Sequence, residues 1–137
     1  MGVDQQVIER FKAAAESGDM AAMGQFMNEI AADDFVQEWP QSGERIVGRE
    51  GGRRMMERYE QGSGTAPKMK IGRVTGDGDL YVVEGTIDYG DGIPVRYVGI
   101  AEFGEGKVHK MTEYFANPFP APDWRADIVE RYEPVPA

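Results

Sequence analysis

Apolar residues recur every three to four positions through the first thirty residues of the chain. The first run contains Val7, Ile8, Phe11, Ala14 and Ala15, and the second contains Met20, Met23, Phe26, Met27 and Ile30. This spacing predicts two helices, each with one apolar face that must pack against another part of the molecule. Asp4 and Asp19 are predicted N-caps, and Gly18 is predicted to end the first helix. The short connection indicates a helical hairpin.

The next stretch, "FVQEWPQSGERIVGREGGRRMMERYEQG", combines a strand with a third helix. Phe35, Gln37 and Trp39 share one face of a predicted strand, which the following proline ends. Residues 41–48 are predicted to form a loop. A helix is expected over about 50–61, although two glycines weaken its first turn.

From Pro67 onward, apolar and polar residues alternate with a period of two. The segments "KMKIGRV", "DLYVVEGTIDY", "IPVRYVGIAEF" and "KVHKMTEYF" predict four strands, and "TGDG", "GDG" and "GEG" predict the turns between them. Helices followed by an antiparallel meander indicate one α+β domain over residues 1–137. We expect the N-terminal helices to cover one face of a curved, cone-shaped antiparallel sheet around a pocket.

The C-terminal segment, from about residue 117, is rich in proline. Trp124, Ile128 and Tyr132 follow one another at helical spacing, and Phe119 precedes them. Because this much apolar area is poorly left in water, we expect the segment to pack on the domain.

The turns between the strands also predict which side chains share a face. Pairing Gly104 with Lys107, and Tyr89 with Gly92, fixes the register of three strands. One face then collects Tyr81, Val83, Ile87, Tyr89, Arg96, Val98, Ile100, Met111, Glu113 and Phe115. The other face collects Val82, Glu84, Thr86, Tyr97, Gly99, Ala101, Lys110, Thr112 and Tyr114.

The predicted register puts Arg96 and Glu113 on the apolar face as diagonal neighbours. Two charges in such a place cost several kcal/mol unless they are paired or hydrated. One explanation is structural: an ion pair, or a bulge that turns one side chain outward. The other explanation is a pocket between sheet and helices, with Glu113 in its wall as a general acid or base.

Charge and composition exclude several classes of partner. A net charge of −9 argues against binding to nucleic acid or to an anionic membrane surface. The single histidine and the absence of cysteine argue against a metal site, and no glycine-rich segment has the context of a dinucleotide site. No apolar run is long enough for a membrane helix, and no secretion signal is evident. We therefore expect a cytoplasmic protein without a cofactor.

The order of these elements, ending in "GKVHKMTEYF", resembles the nuclear transport factor 2-like fold. That superfamily includes ketosteroid isomerase, limonene epoxide hydrolase and the SnoaL-like polyketide cyclases. In the hydrolase and cyclase branches, an acidic residue before the aromatic pair of the last strand transfers protons, and the resemblance places Glu113 there. The sequence departs from those enzymes in having Glu rather than Asp, Thr112 where the hydrolases commonly have Arg, and no Arg-x-Asp pair.

Three functions are compatible with these patterns. The first is a cofactor-free lyase, isomerase, cyclase or hydrolase acting on a small, largely apolar molecule. Glu113 would be its acid or base, and Arg96 would orient Glu113 or bind an oxyanion. The predicted ligand-binding residues are Gln37, Trp39, Tyr81, Val98 and Met111. The second function is ligand binding without chemistry, and the third is a homodimeric scaffold through the open sheet face, where Tyr97, Thr112 and Tyr114 cluster.

Overall fold

The computed structural model of the chain describes residues 5–17, 19–63 and 67–134. Within these ranges the chain forms three α-helices and six β-strands. The helices are α1 (Gln5–Glu16), α2 (Met20–Ile30) and α3 (Arg49–Ser63). The strands are β1 (Ala31–Trp39), β2 (Glu44–Val47), β3 (Lys68–Asp77), β4 (Leu80–Asp88), β5 (Val95–Gly104) and β6 (Lys107–Ala116), and a 3₁₀ turn covers Asp123–Arg125.

The helical hairpin α1–α2 forms as its apolar spacing predicts. Phe11 and Phe26 pack across the hairpin with ring centroids 6.2 Å apart. Asp19 caps α2, because its Oδ1 atom accepts a hydrogen bond of 3.3 Å from the Ala22 N–H. The predicted cap at Asp4 and the predicted helix end at Gly18 lie outside the described residues.

The strands form one curved sheet in the order β2-β1-β6-β5-β4-β3. Strands β3 to β6 are the predicted antiparallel meander. Strand β1 pairs with β6 in parallel, so the sheet is mixed rather than wholly antiparallel. Three helices against this unclosed sheet confirm the α+β class.

A short strand stands where the sequence predicted only a loop. After Trp39 the chain turns through Gly43, which has a φ of 77°, and β2 pairs antiparallel with β1. Strand β2 also explains a glycine in the first turn of α3. A Cβ atom at Gly51 would overlap the Ile46 side chain of β2, so the helix and the strand pack closely there.

The core lies between the helices and the inner face of the sheet, which is the face towards them. Its buried apolar residues come from both layers: Ile8, Phe11, Phe26, Ile30, Ala31, Phe35, Met69, Val83, Ile87, Val95, Tyr97, Ala101, Phe103, Val108 and Met111. The core therefore surrounds the middle of β5 and β6, where the site described below is found.

The predicted register was right for β4 and β6 but wrong for β5. Strand β5 pairs with β4 one residue out of the predicted register, because the loop between Ile87 and Val95 is wider than a tight turn. It also pairs with β6 one residue out, because the extra residue His109 forms a bulge there. A one-residue shift turns every side chain of a strand over.

As a result, Tyr97, Gly99 and Ala101 point to the helices. Arg96, Val98 and Ile100 lie on the outer face of the sheet.

In the C-terminal tail, residues 117–134, the apolar side chains that were expected to pack on the domain are exposed. Phe119 is 76% exposed, Trp124 is 75% exposed and Ile128 is 77% exposed. Apart from the short 3₁₀ turn, residues 117–134 have no helix or strand.

Candidate active site

Glu113 is the one charged residue among the buried side chains that the structure describes. It lies in the middle of β6, directly opposite Gly99 of β5, and is 7% exposed. The alternation of β6 places it on the inner face with Met111 and Phe115. A carboxylate in this position has lost nearly all contact with bulk water, so its stability depends on hydrogen bonds from the protein.

Three uncharged donors hold the Glu113 carboxylate. Its Oε1 atom accepts hydrogen bonds from the amide of Gln37 and, at 3.0 Å, from the indole N–H of Trp39. Its Oε2 atom accepts a hydrogen bond from the hydroxyl of Tyr97. Because all three partners are neutral, the donors satisfy the carboxylate oxygens without adding a positive charge beside them.

Two strands on either side of β6 supply these donors. Gln37 and Trp39 come from β1, whose parallel pairing sets Gln37 beside Met111. Tyr97 comes from β5. Phe115 fixes the rings of both aromatic donors, since its centroid lies 6.4 Å from Trp39 and 5.5 Å from Tyr97. The carboxylate is therefore held by a packed constellation of side chains.

The Tyr97 hydroxyl stays protonated over the ordinary pH range. Burial raises its pKa well above the usual value of 10.0, and the neighbouring charge of Glu113 raises this pKa further. A neutral hydroxyl donates a hydrogen bond to the carboxylate. Because the hydroxyl has a single hydrogen, it can donate to a ligand oxygen only after it has left the carboxylate.

Gly99 makes room for Tyr97 to reach Glu113. Both Tyr97 and Gly99 point to the inner face, two residues apart, and the tyrosine ring leans over the glycine. A Cβ atom at position 99 would stand 2.9 Å from the Tyr97 Cζ atom and closer still to its hydroxyl oxygen. A side chain there would have to displace the ring.

Glu113, Gln37 and Tyr97 line a cavity of about 360 Å³ between the sheet and the helices. Apolar side chains form most of its wall: Phe11, Met23, Met27, Ala31, Phe35, Met69, Val83 and Met111. Arg49 and Arg53 of α3 also line it, and both side chains are about half exposed. A cavity of this size suits a small molecule with an apolar body and few polar groups.

The family of the chain follows from its sequence. Residues 8–111 match the model of the SnoaL-like domain, which is most of the chain. The chain belongs to the SnoaL-like family.

Solved structures similar to this SnoaL-like protein have the same fold. A nuclear transport factor 2-like protein of unknown function from Burkholderia xenovorans is 33% identical, with a TM-score of 0.70 and 94% of each chain covered. A protein provisionally described as a ketosteroid isomerase from Kribbella flavida is 22% identical, with a TM-score of 0.72, 95% of this chain covered and 90% of that one.

An LEH-like epoxide hydrolase from M. tuberculosis is also similar in structure. It is 24% identical, with a TM-score of 0.57 and 80% of each chain covered. No curated protein matches the sequence.

The SnoaL-like structure brings together only some of the residues predicted for the site. Glu113, Gln37 and Met111 line the cavity, and Trp39 reaches the same carboxylate from beside it. Tyr81 lies elsewhere on the inner face and packs edge-on against Phe103, with centroids 5.8 Å apart.

Arg96 and Val98 lie on the outer face of β5 and do not line this cavity. The catalytic role predicted for Arg96 and the ligand-binding role predicted for Val98 rested on the wrong register of β5, so the structure does not support them.

Sequence reasoning missed Tyr97 as a member of the site in this SnoaL-like protein. The signal was present within β5, "VRYVGIAEFG". Its two charged residues, Arg96 and Glu102, have the same parity and so belong on one face. Val95, Tyr97, Ala101 and Phe103 have the other parity and carry no charge, which predicts that they face the core.

The SnoaL-like domain also has a second concave region. A wider groove of about 900 Å³ runs past the α1–α2 connection and the ends of β3 and β4, and its lining includes Lys68, Lys70 and Asp88. Of the two buried polar or charged residues described, Thr86 belongs to this groove and Glu113 to the cavity.

In the described parts of the chain, no three histidine or acidic side chains converge as metal ligands. No described helix is both long enough and apolar enough to cross a membrane.

Proposed function

We propose that the cavity is the active site of a cofactor-free enzyme that acts on a small, largely apolar molecule. Glu113 is its general base and then its general acid. The observation that carries this proposal is a buried carboxylate in a cavity wall whose hydrogen-bond partners are all uncharged. A lyase, isomerase, cyclase or hydrolase could each begin with proton transfer to such a group.

The surroundings of Glu113 favour chemistry over a structural role. A structural buried carboxylate is ordinarily matched by a basic side chain, because an unneutralised charge is costly in an apolar setting. Here the partners are Gln37, Trp39 and Tyr97, so the negative charge remains available to a ligand. The three donors also fix the orientation of the carboxylate, which proton transfer requires.

The first step would move one proton from substrate to protein. A carboxylate oxygen of Glu113 takes a proton from a C–H beside a carbonyl, or from a water molecule. The electron pair of the broken bond passes to the carbonyl oxygen, or makes the water oxygen a nucleophile. Once Glu113 carries the proton, Tyr97 would turn its single O–H from the carboxyl group to the oxygen that becomes negative. Glu113 then returns the proton to the product.

One observation favours a second function, ligand binding without chemistry. Both carboxylate oxygens accept hydrogen bonds from protein side chains. With three of its roughly four lone-pair sites occupied, the carboxylate has only one left, on Oε2, to take a proton. A binding site only has to hold a complementary polar or cationic group of the ligand.

Proton exchange in D₂O separates the two functions before the natural substrate is known. Small apolar ketones, β-hydroxy ketones and epoxides are incubated with the protein, and NMR follows deuteration, dehydration or ring opening. Glu113→Gln keeps the size of the side chain but removes the basic oxygen. We expect the rate for any accepted compound to fall by about 10²–10⁴-fold in this variant.

Glu102→Gln is the matched control, since Glu102 makes the same substitution possible at an exposed position on the outer side of β5. It should leave the rate unchanged. Equal rates for wild type and Glu113→Gln would contradict the catalytic role. Saturable binding with no turnover by the wild type would favour the binding function instead.

A further inference from the structure

We propose that the ligand of the cavity carries one anionic group, such as a carboxylate, and that Arg49 binds this group at the cavity opening. The inference names the ligand class for the site described above, and its account of the reacting end rests on the function proposed for Glu113. Binding at Arg49 and proton transfer at Glu113 are separate events, so each can be tested without the other.

The cavity has a buried end and an exposed end. Glu113 and Tyr97 are buried, and so are most of the apolar side chains around them. The exposed residues of the lining all belong to α2 and α3: Gly24, Gln25, Asn28, Arg49 and Arg53. The cavity therefore opens between these two helices, and a ligand passes a polar rim before it reaches the apolar wall.

Of the two arginines at this opening, Arg53 is already neutralised by its own helix. Its Nε atom donates at 3.1 Å to both carboxylate oxygens of Glu50, and its two Nη atoms donate to Glu50 and Glu57. All three nitrogens of its guanidinium are thus engaged by acids. Arg53 has little left to offer a ligand.

Arg49 is held in place but keeps unused donors. Its Nη1 atom donates to the backbone oxygen of Asn28 at 3.0 Å, which ties the guanidinium to the end of α2. Its Nη2 atom lies 3.3 Å from the carboxylate of Asp33, and this pair is weak because the Asp33 side chain is 98% exposed. Among the described residues, these contacts use two of its five N–H groups.

A ligand that fills the opening has to satisfy the remaining N–H groups of Arg49. An apolar or neutral group would remove them from water without supplying strong acceptors, which is costly. A carboxylate accepts two parallel hydrogen bonds from a guanidinium and also balances its charge. The chemistry of the opening therefore favours an anion.

Opposite charges at the two ends of the cavity also give the ligand one orientation. Glu113 repels an anionic group from the buried end, and Arg49 attracts one to the opening. The anion then stays at the rim, and the apolar end goes inward with the group on which Glu113 would act. A positive opening in a chain with a net charge of −9 also draws anions to this part of the surface.

Matched ligands test the anion site by binding alone. Phenylalkanoates of increasing chain length are titrated by calorimetry beside their primary amides, which have the same shape and no charge. We expect the best carboxylate to bind at least about tenfold more tightly than its amide, with a preference that shrinks as salt is added. Arg49→Gln should weaken the carboxylate by about 10–100-fold and leave the amide within about twofold. Arg49→Lys should recover part of the preference, because the charge returns without the paired geometry.

Three variants serve as controls. Arg54→Gln removes the same charge from an exposed position of α3 outside the cavity lining, and it should change neither affinity. Arg53→Gln should change the carboxylate affinity by less than about threefold, because acids of α3 already match its charge. Glu113→Gln should keep the preference for the carboxylate. A protein without turnover can thus still show the anion site, and a missing anion preference leaves the test of Glu113 with neutral compounds intact.

Any of four results would overturn the proposal. Equal affinities of the wild type for carboxylate and amide would mean that the opening does not select charge. Equal weakening of both ligands in Arg49→Gln would mean that Arg49 only joins α2 to α3. An equally large loss in Arg54→Gln would mean that the overall charge of the protein is what matters. Absence of carboxylate binding up to about 10 mM at every chain length would exclude the site.

Discussion

Gly99→Ala should disturb the site through Tyr97. The added methyl group would stand 2.9 Å from the Cζ atom of Tyr97 and nearer to its hydroxyl, which is closer than Cβ atoms approach their neighbours in folded proteins. The backbone of β5 is held by pairing on both sides, with Val83 in β4 and Glu113 in β6. The tyrosine ring is therefore the part that has to move, and its hydrogen bond to Glu113 should weaken or break.

The expected cost follows from two contributions. Overpacking a well-packed core by one methyl group typically costs about 1–3 kcal/mol. A hydrogen bond to a charged group contributes about 1.5–3 kcal/mol, and losing it leaves a buried carboxylate oxygen with fewer donors. Since ring movement relieves part of the overlap, the two do not add fully. We expect the free energy of unfolding to fall by about 2–4 kcal/mol.

A double-mutant cycle isolates the part that acts through the hydroxyl. Urea titrations are compared for the wild type, Gly99→Ala, Tyr97→Phe and the double variant. In the Tyr97→Phe background the hydrogen bond is already absent, so Gly99→Ala should cost about 1–2 kcal/mol less. Gly24→Ala is the control: nothing lies within 4 Å of its added methyl, so this helical substitution should stabilise by about 0.5–1 kcal/mol.

Two results would refute the reasoning about Gly99. A loss below about 0.5 kcal/mol would mean that the ring has room for the methyl group. An equal loss in both backgrounds would mean that the methyl strains the core without touching the hydrogen bond between Tyr97 and Glu113.

Two further predictions concern charge and capping. Because the pKa of Tyr97 is raised in the folded state, its contribution to stability is complete below about pH 10, where tyrosine in the unfolded chain begins to ionise, and is lost as the pH rises further. The difference in urea midpoint between pH 9 and pH 11 should therefore be smaller in Tyr97→Phe than in the wild type. In Tyr132→Phe, which changes an exposed tyrosine, this difference should equal that of the wild type. Asp19→Ala should cost about 1 kcal/mol in urea unfolding because the cap on Ala22 is lost. Asp127→Ala in the exposed tail should cost almost nothing.

The helices and the meander could be predicted because their signals are local. The apolar stripes of α1 and α2 and the alternation of β3 to β6 recur within ten residues of one another. Strand β2 could not be predicted in this way, since its four residues are mostly exposed and show no apolar alternation. It exists because β1 offers a free edge after the turn at Gly43. The formation of β2 therefore depends on pairing with β1 rather than on its own sequence pattern.

A one-residue shift in strand register changes which side chains are inferred to share the site. Glu113 was found from sequence because β6 alternates regularly towards its end. Its partner was misassigned because β5 is shifted by one residue at each of its ends, by the wide loop before it and by the bulge at His109 after it. These shifts come from the geometry of loops and bulges, which alternation alone does not encode.

The correction changes what a substitution of Glu113 should do to stability. In an ion pair with Arg96, Glu113→Gln would have left a buried cation unmatched, at about 3–5 kcal/mol. The actual partners are uncharged, so the variant removes a desolvated charge and strands no cation. Its amide oxygen can still accept from Trp39, and its amide N–H can donate to the oxygen of Tyr97. The loss in stability should then stay below about 2 kcal/mol, because charged hydrogen bonds are only replaced by neutral ones. A small loss in stability with a large loss in rate is therefore the combination that this site requires of a catalytic carboxylate.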